Sequence, residues 1–166
     1  MRYYWILTVI CLLLAGCHST PQTAESTEPT TQTLMLGNPW RDYITLAEAE
    51  AACGLDFPLE ETVASSYHAE SFRVLNGELM EVTYRDDSFT VTVRMQAGEG
   101  QDLSGVYAEF ENTVTFEEKT YTITHKNIEN GGLLTLISKD GFSYSFYAPN
   151  CYWGDSAADF LAFLNE

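Results

Sequence analysis

The stretch Phe89-Thr90-Val91-Thr92-Val93-Arg94-Met95-Gln96 alternates apolar and polar residues without a break. Side chains that change face at every residue belong to a β-strand, here one with an apolar face and a wet face. The same period of two runs through Met80, Val82 and Tyr84, and through Tyr121, Ile123 and His125 set against Thr120, Thr122, Thr124 and Lys126. It returns in Phe142, Tyr144 and Phe146 set against Ser143 and Ser145. Residues 66–147 therefore read as an antiparallel sheet, the arrangement that tolerates one solvated face. Asn76-Gly77 and Asp140-Gly141 are strong two-residue hairpin turns because both positions accept positive φ, and Asp86-Asp87 and Glu117-Glu118-Lys119 are weaker ones. A meander of six to seven strands is the expectation. Leu133, Leu134, Leu136 and Ile137 break the alternation, which marks a central strand covered on both faces.

Two helices flank this region. Thr45-Leu46-Ala47-Glu48 has the capping-box pattern, Leu46, Ala49 and Cys53 share a helical face, and Gly54 is a stop signal, so a short helix is expected over 46–53. Pro58 falls in the following loop. Ser156-Ala157-Ala158-Asp159 repeats the cap, and Phe160, Leu161, Phe163 and Leu164 mark a C-terminal helix. The fold class is α+β, one domain over residues 37–166.

The N-terminal residues carry a different message. Arg2 precedes an apolar run over 3–14, shorter than the ~18–20 residues that span a bilayer. Leu14-Ala15-Gly16-Cys17 reads as a lipobox: small residues fit a signal peptidase, and Cys17 becomes diacylglyceryl-modified. The alternative is an ordinary secretory leader with a cysteine near its cut. On the lipobox reading residues 1–16 are the signal peptide. Residues 17–36 are the lipidated cysteine and a Ser/Thr/Pro/Gln/Glu-rich tether of the kind that cannot bury enough surface to fold. Two or more acyl chains give lasting attachment, which places the domain on the outer face of the cytoplasmic membrane.

The formal charge of the whole chain is −16, and removal of Arg2 makes it one unit more negative. Such a surface disfavours nucleic acid and anionic headgroups alike, so the lipid supplies the membrane affinity. Cys53 and Cys151 are the thiols left in the domain. Export permits a disulfide between them, and two buried free cysteines are the alternative. No calcium-loop or zinc spacing is present, so no metal or cofactor is implied. His68 and His125 are the domain's histidines, and neither belongs to a Gly-x-Ser-x-Gly elbow, a Cys-His signature or a His-Glu-x-x-His helix. No catalytic residue is assigned, and His125, on the apolar face, reads as a hydrogen-bonded structural histidine.

Asn38-Pro39-Trp40, the run from Thr45 to Gly54, Val93-Arg94 and Asp102-Leu103-Ser104-Gly105-Val106-Tyr107 together form a pattern. It resembles that of a family of uncharacterised exported lipoprotein domains of low-GC Gram-positive bacteria, over residues 37 to near the C-terminus. Members share a Tyr-Ser step like Tyr144-Ser145. Relatives often have a small residue at the place of Cys53, and a tryptophan where this chain has Leu136-Ile137-Ser138. The resemblance implies a compartment and a fold, and no activity.

Within that pattern Gly105 lets the chain bend, and Asp102 or Ser104 caps the turn through its side chain; on a functional reading the loop presents Tyr107 for recognition. Trp40 and Trp153, each just before a helix, either staple the helices to the sheet or form an exposed aromatic patch. Trp40, Asp102, Ser104, Tyr107 and Trp153 are thus the candidate recognition surface. A non-catalytic binding or interaction module for a protein partner is the leading expectation. A carrier of a small apolar ligand in a concave sheet is the alternative, and a small hydrolase a distant third.

Overall fold

A computed structural model describes residues 38–129, 131–149 and 160–165. The first strand, β1 (Trp40–Tyr43), leads into α1 (Leu46–Cys53). The helix begins where the sequence asks it to. The Thr45 hydroxyl accepts from the Glu48 amide at 3.2 Å, the Glu48 carboxylate accepts from the Thr45 amide at 3.3 Å, and Gly54 closes the helix in the left-handed region at φ 68°. Then come β2 (Thr62–Val63), β3 (Tyr67–Leu75), β4 (Leu79–Arg85), β5 (Thr90–Ala97), β6 (Phe110–Glu117), β7 (Tyr121–Ile128), β8 (Gly132–Lys139) and β9 (Phe142–Pro149). The turns after β3 and β8 use Asn76-Gly77 and Asp140-Gly141, all four residues at positive φ, as a hairpin that matches strand twist demands.

Every pairing is antiparallel, and the strand order is β1-β3-β4-β5-β9-β8-β7-β6, with β2 beside β1 on the outer side of β3. Three expectations are corrected here. The sheet has nine strands rather than six or seven, because β1 and β2 are too short to show a period. It is mostly β rather than α+β: α1 is the one α-helix of more than a residue among the described residues, and Ala162–Asn165 form a 3-10 turn. The cap expected at Ser156–Asp159 lies outside the described residues. The sheet is also not one meander. Two meanders, β3-β4-β5 and β6-β7-β8-β9, join through the β5–β9 pair. The connection 98–109 therefore crosses β9, β8 and β7, a width of roughly 19 Å at ~4.8 Å per strand. The physical reason is burial. Tyr144 and Phe146 of β9 need the centre of the sheet, whereas β6 is exposed along almost its whole length and suits an edge.

One face of the sheet is the hydrophobic core. Phe72, Val74, Met80, Val82, Tyr84, Val91, Val93, Met95, Tyr144 and Phe146 pack there with Ala49 of α1, with Phe57 and Leu59 of the loop after it, and with Phe160 and Leu164. Phe160 meets Tyr67 and Tyr84 edge-on, with ring centroids 5.0 and 5.5 Å apart. The fully buried Tyr84 hydroxyl is satisfied by donating to the Glu60 carbonyl at 2.9 Å. Each such side chain contributes about 1.5–3 kcal/mol by leaving water. As expected, β8 is covered on both faces: Leu133 and Ile137 face the core side, and Leu134 is fully buried on the other.

Candidate functional site

The face of the sheet opposite the core should be wet, yet its middle is not. Register places Glu81 of β4 between Arg73 of β3 and Arg94 of β5. Glu81 is 4% exposed. Its two carboxylate oxygens take one arginine each: Arg73 Nη1 at 3.2 Å and Arg94 Nε at 2.7 Å. Trp40 of β1 lies on the same face, opposite Leu75, and its ring stands 4.6 Å from the Arg73 guanidinium and 5.6 Å from that of Arg94. A guanidinium over an indole face gains about 0.5–2 kcal/mol, more when water is excluded. Asp42 adds a longer pair to Arg73 Nε at 3.4 Å.

The crossover 98–109 covers the Arg94 side of this cluster, and Glu81 is its most shielded member. Arg94 Nη1 donates to the carbonyls of Leu103 at 2.8 Å and Ser104 at 2.6 Å. The loop is stiffened from within as well. Asp102 Oδ1 accepts from the Ser104 amide at 3.1 Å and from its hydroxyl at 2.6 Å, and Ser104 Oγ accepts from the Val106 amide at 3.1 Å. Lys126 of β7 holds Asp102 Oδ2 at 3.1 Å. Desolvation pushes the Asp102 carboxyl up, but the Ser104 hydroxyl and amide and the Lys126 ammonium outweigh it and hold the group below the usual carboxylate range. Gly105 has φ 63°, which favours glycine, and a Cβ there would stand 2.8 Å from Arg94 Nη1, so the guanidinium would have to shift from the loop carbonyls. Upstream, the Gly100 amide donates to Ser138 Oγ at 2.9 Å and the Gln101 amide to Ser143 Oγ at 3.0 Å, which accounts for two of the serines facing the loop.

Three of the expected surface residues, Trp40, Asp102 and Ser104, are thus gathered around Arg94 as one structural cluster. Tyr107, on the same loop, is 100% exposed. Trp40 is not a staple between helix and sheet: it lies on the face away from α1, over the arginines. Leu14, Ala15, Gly16, Cys17, Cys151 and Trp153 lie outside the described residues. Cys53 is a half-buried free thiol that donates to the Ala49 carbonyl at 3.1 Å, and burial raises its pKa. The network's charged members Arg73 and Glu81 were missed by sequence reading: alternation assigns Glu81 to water, and no period was read around Arg73.

No protein-family model, curated protein or solved structure matches the chain. Its chemistry must be read from its own residues. His68, exposed on β3, shares a hydrogen bond with Thr62 Oγ1 at 3.2 Å, and His125 on β7 shares one with Thr135 Oγ1 at 3.0 Å. Four strands separate them, so they cannot serve one centre. Desolvation lowers the His125 pKa, and the Phe116 ring meets its imidazole edge-on at 5.8 Å. Among the described residues no three His, Cys, Asp or Glu side chains converge to hold a metal ion, and no helix is long and apolar enough to cross a membrane.

Proposed function

We propose that the chain is a non-catalytic binding module, held on the outer face of the cytoplasmic membrane by diacylglyceryl on Cys17 and spaced from it by the tether 18–36. The observation that supports this reading is the use to which the Arg73–Glu81–Arg94 cluster is put. It fixes residues 103 and 104 of a loop that carries the wholly exposed Tyr107. An aromatic side chain on a loop already ordered offers a large contact area at a small entropic cost on binding. The core on the opposite face of the sheet is filled by Met80, Val82, Tyr84, Val93 and Met95, all essentially without solvent contact, which favours a surface over an enclosed ligand. The strongly negative charge directs it toward a protein partner rather than a polyanion.

A photo-crosslinking amino acid in place of Tyr107, in cells making the full chain, tests the reading. The expected result is a discrete adduct that is absent when the same probe replaces the exposed Asp56. Equal and diffuse labelling from both positions would remove the support. In the same cells Cys17→Ser is expected to move the protein from the membrane to the soluble fraction; retention on the membrane would refute the anchor.

A further inference from the structure

Among the described residues the strand β6 is the last of its sheet, and all of its residues but Phe110 are exposed. The hairpin to β7 is closed by the Glu118 amide donating to the Tyr121 carbonyl at 2.9 Å. In an antiparallel ladder, hydrogen-bonding direction alternates along the strand. Val114 and Phe116 therefore turn their peptide groups to β7, and Thr113, Thr115 and Glu117 turn theirs outward. An open row of this kind is normally blunted by Lys or Pro, and residues 113–117 contain neither. On the core side of the sheet the same edge carries Val114, 48% exposed, and Phe116, 53% exposed. With Asn112, His125 and Asn127 they line a shallow groove of about 310 Å³. The exposed Glu109, Glu111, Glu117 and Glu118 lie along the strand and at its two ends. The nearby cations are Lys119 in the turn and Lys126, which is committed to Asp102 and to the ring of Phe110 at 4.9 Å.

We infer that β6 is a docking edge for an extended segment of a partner protein that alternates apolar and basic residues, added as a further strand. This rests on the binding-module reading and names the kind of partner. Main-chain bonds to Thr113, Thr115 and Glu117 give the segment its register. Its apolar side chains meet Val114 and Phe116, and its Lys or Arg side chains meet the carboxylates. Charge decides against a second copy of this chain as the occupant. Antiparallel pairing of two β6 strands brings Glu111 of one toward Glu117 of the other, between two bodies of strongly negative charge.

The test uses the lipid-free chain and a short capped peptide alternating valine and lysine, followed by amide chemical shifts. The expected result is saturable binding with shifts centred on β6 and β7. Binding should be lost when the peptide is N-methylated along its pairing edge, and weakened about tenfold by Thr113→Pro, which removes one outward N–H and no bond to β7. A valine–glutamate peptide should not bind. Binding that survives N-methylation is plain charge attraction and overturns the proposal, as does no binding or shifts elsewhere. Should the peptide fail while the probe at Tyr107 still captures a partner, the edge is refuted and the binding module stands.

Discussion

Replacing Glu81 by Gln tests whether a buried ion triad organises the wet face of the sheet. The carboxylate is 4% exposed and bridges two guanidinium groups at 3.2 and 2.7 Å. Removing one member of a buried charge pair costs about 3–5 kcal/mol, mainly because the charges left behind stay desolvated. Here the arginine side chains keep 33% and 21% of their exposure. Water therefore relieves part of that penalty, and Gln preserves one acceptor, so the expected loss is about 2–3 kcal/mol. For a domain of this size that corresponds to a fall in Tm of roughly 6–12 °C. Thermal and urea unfolding of the lipid-free chain at neutral pH would measure it, with the exposed Glu117→Gln as a control expected to change stability by less than about 0.5 kcal/mol. Because the cluster lies under the loop, the loss should persist at high salt, where exposed pairs fade. A Glu81→Gln melt within about 1 °C of the parent, or a loss that vanishes in high salt, would refute the account.

Gly105→Ala places a methyl 2.8 Å from Arg94 Nη1 at positive φ. It should cost about 1–3 kcal/mol and raise amide exchange across 102–106 while the core ladder stays protected. Thr45→Ala removes the hydroxyl that accepts from the Glu48 amide and should cost about 1 kcal/mol in urea unfolding. Acid should destabilise the fold in two steps, visible as the slope of unfolding free energy against pH. His125 has a lowered pKa, so from about pH 6.5 downward the unfolded chain takes the proton first and stability falls toward the native pKa; His125→Asn should flatten that slope. Asp102 has a lowered pKa as well, so its contribution is intact above about pH 3.9 and is lost as pH falls through the native value. Asp102→Asn should remove that lower step.

The elements that stood out in the sequence are those whose signal is local. The alternation around Val91, Val93 and Met95, the positive-φ turns at Asn76-Gly77 and Asp140-Gly141, and the Thr45–Glu48 cap each fix a few neighbouring residues, and each holds in the structure. What local signals cannot give is the partner of a strand end. Nothing in Phe142–Tyr147 distinguishes a final hairpin arm on a meander's edge from the central strand that pairs with Thr92–Ala97, because burial on both sides is required in one case and merely compatible with the other. The short strands β1 and β2 borrow their conformation from β3, so their own residues carry no period to read.

The same distinction explains why the site was legible only in pieces. Period two correctly sends Glu81 and Arg94 to the face away from the core, and sequence reasoning then stops at the inference that this face is water. Whether it is water depends on the route of 98–109, and the route follows from β9 taking the place beside β5 that a simple meander would have given to β6. Once the loop crosses, three charges that would have been solvated one by one are drawn together, and through Arg94 they hold in place the loop that covers them. Trp40, Arg94 and the 102–107 loop, distant in sequence, are then parts of one clamp. Tyr107 and the open edge of β6, three residues further on, are what that clamp presents.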